Sequence, residues 1–284
     1  MNIIIPDIDP LIVSLTDLPE LVKLGCVNKY FYGLVSRQDV VKQWLAIKNK
    51  HGKIGIYETL KNACGNGFLL YAMFIIKENK INIHTDDECA FRYSCLNGHI
   101  EIARWLIHLG ESGEYGKIDI HANNEGAFRY SCSNGHIEIA RWLIHLCESE
   151  EYEKISIHDY IEDAFRYSCH NGHIEIARWL IHLGESGEYG RINIHAYDED
   201  AFTRSCQYGH IEIARWLIEL GESGEYGKID INIYDEYAFT SSCQNGHIEI
   251  AHWLIHLGES GEYEKIDQKI IDEYIKKKNE PISH

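Results

Sequence analysis

The sequence predicts an all-α solenoid of stacked helix-turn-helix units, and three observations predict it. The string Gly-His-Ile-Glu-Ile-Ala recurs with its histidine at His99, His136, His173, His210 and His247, a constant step of 37 residues. Every copy carries apolar residues at helical rather than alternating spacing. The prolines (Pro6, Pro10, Pro19 and Pro281) lie at the two ends, so none interrupts a helix in the repeated region. A period in this range means a stacked array, because one such unit cannot bury its own apolar face.

Taken along the chain, residues 1–50 do not repeat and form a separate helical segment, followed by the array over 51–265 and a final helix and tail over 266–284. The array opens with a worn copy at Ala63-Cys64-Gly65-Asn66-Gly67-Phe68, 31 residues before His99, and continues with five clear units of 37. In the unit at 126–147, residues 127–133 read as a short helix closed by Asn134-Gly135. Gly135 supplies the positive φ that a helix C-terminus favours. The second helix runs from about 136 to 146, with Glu138, Arg141 and His145 as a narrow polar stripe on an otherwise apolar surface. Glu138 and Arg141 have the spacing to pair along that stripe. The glycine-rich stretch at 110–121 reads as a loop that ends in a brief extended finger. Residues 266–278 read as an amphipathic cap whose Lys276-Lys277-Lys278 suits a helix C-terminus.

A Gly-His leading an apolar helix, preceded by a short helix with small residues, resembles the ankyrin repeat. The unit departs from the usual pattern: Gly126-Ala127-Phe128-Arg129 stands where Thr-Pro-Leu-His is common, and Ser131-Cys132 where an alanine pair is common. The spelling Ala-Phe-Arg-Tyr-Ser-Cys-x-Asn-Gly-His is similar instead to the divergent ankyrin repeats of giant DNA viruses. The resemblance covers residues from about 57 to 270. It implies that fingertips and first helices line a binding face for another protein.

Repetition turns each residue into a ladder. Trp105, Trp142, Trp179, Trp216 and Trp253 read as inter-repeat core on the most buried helix rather than a stripe for stacking a ligand. Cys64, Cys95, Cys132, Cys169, Cys206 and Cys243 each precede the Gly-His position by four residues. One cysteine per unit does not supply the four clustered ligands of a zinc site, so these read as small core residues, with no metal or other cofactor expected. The Gly-His histidines read as partners of backbone groups. No Walker loop, Gly-x-Gly-x-x-Gly, His-Glu-x-x-His or Gly-x-Ser-x-Gly occurs, and no catalytic activity is expected.

The net charge of −17 is spread along the chain and repels phosphate backbones and acidic lipid, so neither nucleic acid nor membrane is the expected partner. A protein with a basic surface is. No basic leader precedes the first apolar run, and no run of 18 apolar residues exists. Nine cysteines suggest reduced thiols. Together these predict an intracellular protein of the cytoplasm or nucleus, in the host cell if viral.

Positions that differ between copies are free to recognise a partner. In the fingers they include Tyr160, Tyr197 and Tyr234 in register, followed by Ile161, Asp198 and Asp235. On the first helix they include Ser133, His170 and Gln207, and the column Arg129, Arg166, Thr203. The candidate ligand-binding set is therefore Tyr160, Tyr197, Tyr234, Asp198, Asp235, Arg129, Arg166 and His170. The recurring loop pairs, such as Glu111, Glu114 and Tyr115, are either a second ridge for a basic segment or simply solvated loop.

The segment around Gly25-Cys26-Val27-Asn28-Lys29-Tyr30-Phe31 resembles the F-box, which docks onto the adaptor subunit of cullin-type ubiquitin ligases. By that resemblance Leu21, Leu24, Val27, Phe31 and Trp44 are the adaptor-docking candidates. The first helix is about two residues short for the motif, and a plain helical cap over the first repeat is the competing reading. The sequence therefore supports two functions: a binding scaffold, or the same scaffold recruiting its ligand to a ubiquitin ligase.

Overall fold

A computed structural model describes residues 56–79, 81–149 and 151–279. The F-box-like segment, with Leu21, Leu24, Val27, Phe31 and Trp44, lies outside the described residues. The described residues divide after Ala127 into two compact units. Both are all-α, with no strand among the described residues.

In the first unit α1 (Ile56–Gly65) and α2 (Leu69–Asn79) make one hairpin, and α3 (Thr85–Leu96) and α4 (Ile100–Glu111) make the next. First helices pack on first helices, α1 against α3. Helix α5 (Ala122–Ser133) leads into the second unit. There α6 (Ile137–Leu146) is extended by a single 3₁₀ turn (Cys147–Ser149). The pairs α7 (Asp159–His170) with α8 (Ile174–Glu185), α9 (Ala196–Gln207) with α10 (Ile211–Glu222), and α11 (Ile233–Gln244) with α12 (Ile248–Glu259) come next. Helix α7 packs on α9 and α9 on α11. Helix α13 (Gln268–Asn279) closes the series.

The turn inside each hairpin is set by its Asn-Gly-His. After α5, the Gly135 N–H bonds the Cys132 carbonyl at 3.3 Å and the His136 N–H bonds the Ser131 carbonyl at 2.9 Å. This pair of bonds is a Schellman cap and needs a left-handed residue between the helices. Gly135 provides it at φ +83, and a Cβ there would lie 2.8 Å from the Cε1 of His173 in the following repeat. Only glycine meets both demands.

The deepest row is phenylalanine. Phe128, Phe165 and Phe202 are fully covered, with Phe91 and Phe239 at 1% exposure. The cysteine ladder is buried beside them, as its reading as core required, and all the described cysteines are free thiols. Burial pushes the Cys64 thiol up to about 12 and the Cys132, Cys169 and Cys206 thiols higher still.

The tryptophans sit further out than the sequence suggested, half-buried at the seam between repeats. Phe128 meets Trp179 at 6.2 Å, Phe165 meets Trp216 at 6.3 Å and Phe202 meets Trp253 at 6.4 Å, all tilted. Their outer faces are capped by the preceding unit's arginine: Arg141 lies 5.9 Å from the Trp179 ring, Arg178 5.8 Å from Trp216 and Arg215 5.9 Å from Trp253. The polar stripe Glu138, Arg141 and His145 is exposed, as its spacing implied. Its pairing runs across repeats, however. Arg178 reaches Glu212 at 4.0 Å and Arg215 reaches Glu249 at 3.5 Å, because each arginine is already aimed at the next unit's tryptophan. In the last step Tyr274 of α13 replaces the tryptophan, edge-on to Phe239 at 6.4 Å and donating to the Cys243 carbonyl at 3.1 Å.

Candidate functional site

The extended finger expected before each first helix is not a strand. Residues 117–120 are irregular, although Ile118 and Ile120 are buried as alternation requires. Each finger tip is instead a left-handed turn. Tyr197, Asp198 and Glu199 have φ of 53, 52 and 61, and Tyr234, Asp235 and Glu236 have φ of 53, 53 and 55. Left-handed backbone costs a non-glycine residue roughly 1–2 kcal/mol, so three in succession need something to hold them.

A histidine–glutamate pair does so. His195 Nδ1 lies 2.8 Å from Glu199 Oε1, bridging the left-handed turn, and the buried Glu199 carboxylate also accepts the Asp230 N–H at 3.1 Å. His195 Nε2 lies 2.8 Å from the Tyr226 carbonyl in the next loop. His84 with Glu88 and His158 with Glu162 repeat the arrangement, their Nε2 atoms each 2.7 Å from the carbonyls of Tyr115 and Tyr189. A carbonyl only accepts, so Nε2 carries a proton. The glutamate already accepts a backbone N–H, and a protonated ring donates to it through Nδ1 as well. Burial works against this charge, but the bonds to glutamate and carbonyl outweigh it and raise the pKa of His84, His158 and His195. With both nitrogens engaged, these rings clamp each turn to the following loop. The His-x-x-x-Glu recurrence at 84–88, 121–125, 158–162 and 195–199 was visible in the sequence, although its bonds to the following loop were not.

The turn throws the tyrosines outward. Tyr160, Tyr197 and Tyr234 are 52%, 57% and 62% exposed, and Asp198 and Asp235 are exposed beside them. The structure thus brings these candidates onto one ridge of the second unit. Arg129 and Arg166 belong beneath it. They are buried, with Arg129 4.4 Å from the Tyr160 ring and Arg166 4.1 Å from the Tyr197 ring. Arg129 pairs with Asp163 at 2.9 Å, and Arg166 with Asp163 and Asp200, each at 3.4 Å. Their reading as open ligand contacts is corrected: they prop the ridge from within. His170 stacks on Tyr208 at 4.3 Å and on Tyr167 at 5.6 Å, and burial lowers its pKa. The Tyr234 hydroxyl donates to Asp198 at 2.6 Å.

The Gly-His histidines meet backbone, as expected, though the acceptor is a carbonyl of the preceding repeat's first helix: His99 Nε2 lies 3.2 Å from the Gly65 oxygen. Loop carboxylates and tyrosines bind one another across repeats. Tyr226 donates to Glu185 at 2.9 Å and Tyr263 to Glu222 at 3.0 Å, while Arg191 pairs with Glu225 at 3.1 Å and Lys228 with Glu262 at 3.0 Å. These side chains are already occupied in joining loops, which makes the loops a weaker docking surface than the tyrosine ridge. Among the described residues no group of three or more histidine, cysteine or carboxylate side chains is placed to hold a metal ion, and no helix is long and apolar enough to cross a membrane.

A family model described as ankyrin repeats, in three copies, matches residues 56–155 and 165–267. Among solved structures, the human ASB11 ankyrin repeat domain is similar at 17% identity and a TM-score of 0.46, over 68% of this chain and 80% of that one. No curated protein matches the chain.

Proposed function

The chain belongs to the ankyrin-repeat family, and from that premise we propose that it is a protein-binding scaffold with no catalytic activity of its own, engaging its partner through the ridge of Tyr160, Tyr197 and Tyr234. The observation that carries this reading is the exposure of three large aromatic side chains, each more than half open to solvent, in register on successive turns. Aromatic side chains of this kind dominate binding energy at protein interfaces. Asp198 and Asp235 on the ridge, together with the net charge of −17, favour a partner with a basic surface.

A second reading rests on the Val27-Asn28-Lys29 and Phe31 block: the same scaffold acts as the substrate-recognition subunit of a cullin-type ubiquitin ligase, docking the adaptor through Leu21, Leu24, Val27, Phe31 and Trp44. The divergent repeat spelling supports a giant-DNA-virus type, acting in the cytoplasm or nucleus of a host cell. Affinity capture from cell extract with three baits tests both readings. The full chain retains a partner that the Tyr160→Ala/Tyr197→Ala/Tyr234→Ala variant loses and that deletion of residues 1–50 does not. Adaptor and cullin subunits accompany it only when residues 1–50 are present. A partner indifferent to the tyrosines sinks the first reading, and an eluate without adaptor sinks the second.

A further inference from the structure

The ridge contains a template for its own ligand. In two successive steps an arginine lies under the next turn's tyrosine and beside an aspartate: Arg129 with Tyr160 and Asp163, and Arg166 with Tyr197 and Asp200. One step further the column changes. Thr203 stands where Arg129 and Arg166 stand, and Tyr237 where Asp163 and Asp200 stand. Tyr234 still projects as Tyr160 and Tyr197 do, but Thr203 is too short to reach its ring. A pocket of about 270 Å³ opens there, lined by Thr203, Tyr234, Tyr237, Asp198, Asp200 and Arg204 among others. One water needs roughly 10–15 Å³ on the same measure, so the space suits a side chain.

We propose that this pocket is a subsite for an arginine side chain of the partner protein, seated against Tyr234 as Arg166 is seated against Tyr197. The inference rests on the protein-binding reading and names the chemistry of the partner. The lining decides the sign of the charge. Arg204 is already engaged, with Nε 3.2 Å from Asp200, and Nη1 2.6 Å from Gln207 and 3.3 Å from the Tyr237 hydroxyl. Asp198 accepts one hydrogen bond from Tyr234 and is otherwise exposed, so it keeps oxygen lone pairs for a guest donor. An anionic side chain would meet Asp198 and the field of a chain with net charge −17. Arginine fits better than lysine because a planar guanidinium stacks on an aromatic face while donating sideways to a carboxylate. The protein itself fills the two equivalent places with arginine.

The test uses the full chain and N-acetyl-arginine amide as probe, read from the tyrosine ring signals by NMR. The arginine amide shifts the Tyr234 resonances, and N-acetyl-citrulline amide, its neutral analogue, binds at least about tenfold more weakly. Thr203→Arg supplies the pocket from within and abolishes the shift. It keeps the fold, since Arg129 and Arg166 occupy the same register, and thermal unfolding verifies this. Equal binding of citrulline, undiminished binding by Thr203→Arg, or no shift with arginine overturns the inference. A displayed random-peptide library selected on the same chain separates the two levels. Enrichment of arginine that Thr203→Arg abolishes supports the inference. Binders without arginine that Thr203→Arg leaves unaffected overturn it and leave the protein-binding reading standing. An empty selection with a silent arginine amide sinks both.

Discussion

Substituting Glu199 by alanine tests the clamp that shapes the ridge. Glu199 is 5% exposed and holds His195 Nδ1 at 2.8 Å and the Asp230 N–H at 3.1 Å. Its removal leaves the His195 ring without its carboxylate partner and a backbone donor without an acceptor, while the left-handed turn at 197–199 loses its brace. Breaking a buried ion pair on one side costs roughly 3–5 kcal/mol. Two features reduce that figure here. The His195 side chain is 32% exposed, so water compensates part of its charge. Glu199 Oε2 is buried with no hydrogen-bond partner among the described residues, so the native carboxylate is itself imperfectly compensated. A loss of about 2–3 kcal/mol is expected. His195→Asn is the control, because Asn232 naturally occupies the same place one repeat later and donates to the next loop's Glu264 and Lys265 carbonyls at 3.2 and 3.3 Å. It retains the loop contact but leaves the buried Glu199 without its cation, so it too is expected to lose about 1–2 kcal/mol. Urea denaturation monitored by far-UV circular dichroism measures both. A Glu199→Ala variant within about 0.5 kcal/mol of the parent would refute the clamp.

The clamp histidines also set a pH dependence. The folded pKa values of His84, His158 and His195 lie above the ordinary 6.5, so their stabilisation is complete below 6.5 and is lost as pH rises through the raised values. The urea midpoint therefore falls as pH rises above 6.5, and a His158→Gln/His195→Gln variant flattens that slope. His170, His173 and His210 have lowered values and act oppositely, withdrawing stability only as pH falls below 6.5. Gly172→Ala should cost at least about 2 kcal/mol by thermal unfolding, since φ is +83 and a Cβ would lie 2.7 Å from His210 Cε1. Phe202→Ala, at a fully buried site, should lose about 3–5 kcal/mol and exceed the loss from Trp216→Ala, whose side chain is only partly covered. The reverse order by calorimetry would mean that the tryptophan seam, not the phenylalanine row, dominates cohesion.

The helices were legible because their signals are local and repeated. The Asn-Gly-His turn is dictated by Gly135 needing positive φ, and the exposed row Glu138, Arg141 and His145 by helical spacing alone. The left-handed turns were not legible. No glycine marks Tyr197-Asp198-Glu199, and the conformation survives through a histidine and a glutamate that bond the following loop, a contact between repeats. The same limit explains the arginines. Arg129 and Arg166 vary along the column, which suggested freedom, yet burial under the next turn's tyrosine is invisible until the repeats are stacked. Variation at Thr203 was likewise visible, but its consequence, a pocket, depends on the two arginines that precede it. The tyrosines were legible for a simpler reason: a large aromatic residue at a turn between helices has nowhere to hide.

The central claim is that recognition occurs on the tyrosine ridge and not on the loops or the outer row of the second helices. Hydroxyl-radical footprinting of the chain, alone and with its captured partner, tests that most directly. The account predicts protection of Tyr160, Tyr197 and Tyr234, with Trp179, Trp216 and the loop tyrosines Tyr189 and Tyr226 unchanged. Protection of those tryptophans or loop tyrosines, with the ridge left open, would contradict it.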